Sequence, residues 1–145
     1  MAIASSKPGS AGLKAGVAYF VLVFALGFLF GLIRDIIFQV GEAEASRIVA
    51  VLVELPVMLA ASWVACGLLV RRFSVPAVMG ERVIMGAVAF VLLMIGELSI
   101  GVLLLNRSVA AHFLAYAQLS YSLGLAAQLC FAAFPQIQGL LQSKP

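Results

Sequence analysis

The chain has 145 residues, 64% of them apolar and 10% charged, and its mean hydropathy is +1.17. Soluble domains carry about 25% charged residues, and one of this length could not hide so much apolar surface from water. A water-soluble fold is therefore excluded. The net charge of +3 is not a nucleic-acid footprint, because the nine Lys and Arg stand at the ends of apolar runs.

Residues 1–12 are small and polar and read as a flexible tail. The uncharged run 15–33 exceeds the roughly 7–15 residues of a secretory signal core, and no A-x-A site follows it. It reads as a transmembrane helix over 14–36. Gly16, Phe20, Gly27, Gly31 and Arg34 share one face of that helix, and Gly27 with Gly31 makes a small-xxx-small pair suited to close backbone approach. Gly41 marks a break in the first connection, where Glu42 and Glu44 read as solvated charges.

The second helix is expected over 46–70, bounded by Arg47 and by Arg71 and Arg72. Its interior holds one carboxylate, Glu54, and Pro56 two places on, both costly in lipid and both needing neighbouring helices. Residues 71–81 read as a tight polar hairpin with Pro76 and Gly80. The third helix, 82–105, repeats the pattern, with Glu97 on a face shared by Gly86, Phe90 and Gly101. A short turn at Asn106 to Ser108 leads to a fourth helix over 110–134, which Pro135 should limit. On it Gln118, Tyr121, Leu125 and Gln128 form a polar stripe at helical spacing.

The expected architecture is an all-α membrane protein, one domain spanning 1–145, built as an up-down-up-down bundle of four transmembrane helices. Both tails and the middle loop carry Lys7, Lys14, Arg71, Arg72, Arg82 and Lys144, whereas the other connections carry Arg34, Arg47 and Arg107. That bias puts both termini in the cytoplasm. Glu54, Glu97 and Gln118 then fall at similar depths below the opposite surface, where Arg34 closes the first helix. The economical arrangement is one Arg34 guanidinium shared by Glu54 and Glu97, with Gln118 and Tyr121 completing the hydrogen bonds. Two readings of this cluster stay open: polar glue for the bundle, or a site for a proton, ion or polar substrate. Gly27, Gly31, Pro56, Gly86 and Gly101 are the expected packing positions, and Gly96 and Gly124 with Ala126 and Ala127 offer small-residue surfaces to another membrane helix.

Cys66 and Cys130 lie inside apolar runs and form no CxxC pair, and with one His there is no metal-ligand spacing. No nucleophile–base pair or phosphate loop appears, so neither an enzyme nor a cofactor is expected. The expected partners are the lipid bilayer, a second copy of the chain or another membrane protein, with no nucleic acid.

Four spans in so short a chain prompt comparison with small families. Small multidrug transporters carry a Glu in their first helix, and here no carboxylate precedes Asp35. Arg47, Glu54 and Pro56 resemble part of the second-helix pattern of the MAPEG membrane enzymes, with Val51 where that family has Asn; the resemblance implies glutathione chemistry. The segments GLIRD, VELPVML, RRFSVP and MGAVAF are most similar to small, uncharacterised four-span bacterial inner-membrane proteins. That likeness covers the full length and implies no particular activity. An interaction or assembly subunit is the favoured expectation, and a proton-linked transporter acting as an oligomer is the alternative.

Overall fold

A computed structural model of the chain describes residues 9–36 and 43–142. They form α1 (Ser10–Ile36), α2 (Glu44–Arg72), α3 (Met79–Ser99), a short α4 (Val109–Ala115) and α5 (Leu119–Gln142). A π-helical turn, Ile100–Leu104, extends α3. Four segments, Ser10–Arg34, Glu44–Arg72, Met79–Leu104 and Leu119–Gln142, are long and apolar enough to cross a bilayer. The chain is an all-α, multi-pass membrane protein.

Helix direction alternates along the chain. The starts of α1 and α3 meet the end of α5 at one end of the bundle, called here the near end. The starts of α2 and α5 meet at the far end. Each of α1 and α5 packs against both α3 and α2, so the order around the bundle is α1, α3, α5, α2. Consecutive helices α2 and α3 therefore sit across a diagonal. The segment joining them is exposed along most of its length, as a surface connection should be, but it crosses the near end instead of linking neighbours, and Val75 within it is buried. A Schellman turn starts it, with the Val75 amide donating to the Val70 carbonyl at 2.9 Å and Ser74 taking a left-handed φ of 49°.

Arg82 holds this crossing in place. Far from standing among headgroups, it is 1% exposed. Its Nε donates to the Pro76 carbonyl at 3.0 Å, and its Nη2 donates to the Val75 carbonyl at 3.2 Å and to Gln142 Oε1 at 2.9 Å. One side chain thus ties the crossing segment to the end of α5. Gly139 leaves it room, since a Cβ there would stand 3.2 Å from Arg82 Cγ.

Two helices begin on carboxylates lent by other helices. A helix start leaves amide donors without partners, which is costly where water is scarce. Glu81, in the first turn of α3, accepts from the amides of Gly9 and, at 2.8 Å, of Gly12. The helix consequently reaches back to Ser10, into the segment read as tail; residues 1–8 lie outside the described ones. Glu44, expected to be solvated, accepts from the Ser120 amide at 2.9 Å and its hydroxyl at 3.1 Å, and so starts α5. Gly41 and Glu42 lie outside the described residues.

Close packing uses glycines other than the expected pair. A Cβ on Gly12 would collide with the Glu81 carbonyl, and one on Gly16 would stand 2.8 Å from the Met85 carbonyl, so this pair seats α1 on α3. Gly86 seats α3 on α5 still more tightly, against the Ala132 carbonyl, and Gly101 lies against His112 of α4. Gly27 has only ordinary contact with Met58, and Gly31 only with the Arg34 guanidinium, 3.9 Å from where a Cβ would stand. Gly96 is no free docking surface, because the Phe24 ring of α1 fills it. Pro56, an expected packing position, is exposed on α2.

The fourth span differs most from expectation. A turn at Tyr116 to Gln118 splits it, so that α4 is a separate seven-residue helix and α5 runs to Gln142, straight through Pro135. A proline at this position deprives the Phe131 carbonyl of its partner four residues on. The Tyr19 hydroxyl of α1 replaces that donor, at 3.2 Å. The helix continues because a neighbour satisfies the freed carbonyl.

Candidate functional site

The two halves of the bundle are built differently. Toward the near end the interior is solid: Arg82, Tyr19, Met85, Pro135 and Cys66 are the largest fully buried side chains, and Tyr19 stacks on Phe131 with ring centroids 4.2 Å apart. Beyond Phe131 the helices enclose a chamber of about 300 Å³. Its floor is Val23, Ser62, Leu93 and Phe131, and its walls rise to Arg34 and Ile100. Val23 to Arg34 is about 16 Å of helix. The wall is apolar except for Arg34, Glu97, Gln128 and Ser62.

Two polar groupings among the described residues border this chamber. Arg34 Nη1 donates to Glu54 Oε2 at 3.1 Å, with the two side chains 35% and 20% exposed. The last turn of α1 is thereby joined to the third turn of α2 at the chamber's mouth. Glu97, deeper on α3, accepts a short hydrogen bond of 2.5 Å from Gln128 Nε2 of α5. The Tyr116 hydroxyl lies beside the same carboxylate, and burial, then the Glu97 charge, push it above the usual phenol range. It therefore stays a donor. Among the described residues no Lys or Arg makes an ion pair with Glu97. Gln128 Oε1 is buried with no partner.

The expected five-residue cluster is thus regrouped. Arg34 meets Glu54, while Glu97 is held by Gln128, and Arg34 and Glu97 share a chamber. Gln118 is exposed, in the turn before α5, and its carbonyl accepts from the Ser122 hydroxyl at 3.1 Å. Tyr121 accepts from Arg107 Nη1 at 2.8 Å, with the guanidinium 5.8 Å from its ring centroid. Of the polar stripe, Tyr121, Leu125 and Gln128 lie on α5 while Gln118 stands in the turn before it, so the member that reaches Glu97 is Gln128, about three helical turns beyond Gln118. His112 lies between the Phe113 and Tyr116 rings at the far end, and Trp63 packs edge-on to Phe134 at 5.1 Å. Among the described residues no group of His, Cys, Asp and Glu is arranged to hold a metal.

Comparison with family models, curated proteins and solved structures found no match to this chain. Its functional reading rests on this geometry alone.

Proposed function

We propose that the chain is a membrane-embedded binding and assembly subunit, which lodges an apolar group of another membrane component in the far-half chamber. The observation that carries this is that the chamber is blind. A volume of about 300 Å³ is at the small end of ligand sites, and its wall has the usual makeup of such sites, mostly apolar with a few polar groups. Below it the Tyr19–Phe131 stack and the buried Arg82, Met85 and Cys66 leave no path onward. Gly124 faces open space on the wall, so an occupant can approach the α5 backbone.

By the positive-inside bias the near end faces the cytoplasm of a bacterial inner membrane, and the chamber faces away from it. A second reading, proton-linked transport, has Glu97 on the chamber wall in its favour and the solid near half against it. Enzyme chemistry of the MAPEG kind is disfavoured, because Glu54 is engaged by Arg34 and Pro56 is exposed. Pyranine-loaded proteoliposomes distinguish binding from transport. The binding reading expects the wild type and Glu97→Gln to dissipate an imposed pH gradient equally slowly. Faster flux that disappears with Glu97→Gln would replace it by the transport reading.

A further inference from the structure

We infer that the chamber selects lipophilic cations: an ammonium or other protonated amine on an apolar body, its head at Glu97 and Gln128. This rests on the chamber being a binding site, and goes on to name what it takes. The charged groups that line it are Arg34 and Glu97, and Arg34 is also bonded to Glu54 at 3.1 Å. The three together carry one net negative charge, and Glu97, with hydrogen-bond donors in Gln128 and Tyr116, has no ion-paired Lys or Arg among the described residues. A carboxylate among apolar walls attracts a cation strongly, because little water screens it.

The hydrogen-bonding inventory points the same way. Gln128 spends its amide N–H on Glu97, and its Oε1 is a buried acceptor with no donor. An ammonium brings up to three donors and no acceptor. It fits both Glu97 and Gln128 Oε1, whereas a carboxylate or phosphate head placed at this pair would meet acceptors with acceptors; the Arg34 guanidinium on the same wall is already bonded to Glu54. Around this pair the wall carries the rings of Phe24, Phe28 and Phe131 and the thioether of Met58. Aromatic rings hold cations through their quadrupoles, and Met adapts its shape to varied bodies. Unlike a wholly apolar cleft, this wall distinguishes sign.

Native mass spectrometry of the detergent-solubilised chain with decylammonium, decanol and decanoate tests this. Decylammonium should bind at least tenfold more tightly than decanol, with decanoate weakest. Glu97→Gln keeps a side chain able to bond Gln128 but loses the charge, so it should erase the preference for the amine while decanol still binds. Gly124→Leu, at a position with open space around it, should fill the chamber and abolish saturable binding of all three probes. Decanol binding as tightly as decylammonium, or a preference untouched by Glu97→Gln, overturns the cation assignment and leaves the chamber a binding site. Failure of every probe to bind saturably, or binding indifferent to Gly124→Leu, overturns the binding reading itself. A thermal unfolding midpoint within a few degrees of wild type shows that each variant is folded.

Discussion

A proline inside a membrane helix leaves the carbonyl four residues earlier without its amide, and in lipid that group has to find another donor. In α5 the carbonyl is that of Phe131, the proline is Pro135, and the donor is the Tyr19 hydroxyl. Tyr19→Phe should therefore cost about 1–3 kcal/mol, the usual penalty for a stranded buried acceptor. The same change made together with Pro135→Ala should cost much less, since residue 135 then donates to Phe131 itself. Unfolding of the four variants of this cycle in mild detergent gives the coupling, and strictly additive effects would show that the hydroxyl is not replacing the missing amide. None of this is visible in the chain order, because Tyr19 and Phe131 are 112 positions apart. Arg82 misleads for a similar reason: an arginine starting an apolar run reads as a headgroup anchor until the segment that crosses above it is known.

Among the elements, the spans are readable because a long apolar run bounded by arginines is what a bilayer demands of a crossing helix. Their ends are less so. Glu81 and Glu44 lengthen α1 and start α5 by capping across the bundle, which local sequence does not reveal. Glu81→Gln and Glu44→Gln should each cost about 1 kcal/mol. Because the two caps lie at opposite ends, the double variant should cost nearly the sum, and a marked departure would mean the ends communicate. The glycines separate by backbone distance. Gly86→Ala would drive a methyl into the Ala132 carbonyl and should lower the unfolding midpoint sharply, by an amount typical of overpacking, about 1–3 kcal/mol. Gly31→Ala has room and gains helix propensity, so it should be neutral or stabilising by up to about 1 kcal/mol. Equal losses at the two positions would contradict the packing described.

At the scale of the whole molecule, the candidate site is legible in part. A stripe of small residues and a matched depth pair Arg34 with Glu54, and the two are joined. The same depths set Glu97 at the right level but give it the wrong neighbour, because the turn at 116–118 leaves no mark in the helical spacing. Topology offers its own check. Reporter domains fused after Lys144 and within residues 73–79 should both appear on the cytoplasmic face, and a split result would break the alternating bundle. The crossing of α2 to α3 over the near end also has a consequence for how the protein is made. Of the described helices α1 leaves the ribosome before the others, yet it finds its cap, its glycine seat and the acceptor for its Tyr19 hydroxyl only in α3 and α5. When α1 and α2 have entered the membrane, α1 still has an uncapped start and a flat glycine face turned toward lipid. Synthesis order and assembly order are thus opposed: the earliest-made of these helices is the last to be satisfied, and α3, packed on both α1 and α5, is the piece whose arrival lets the rest close.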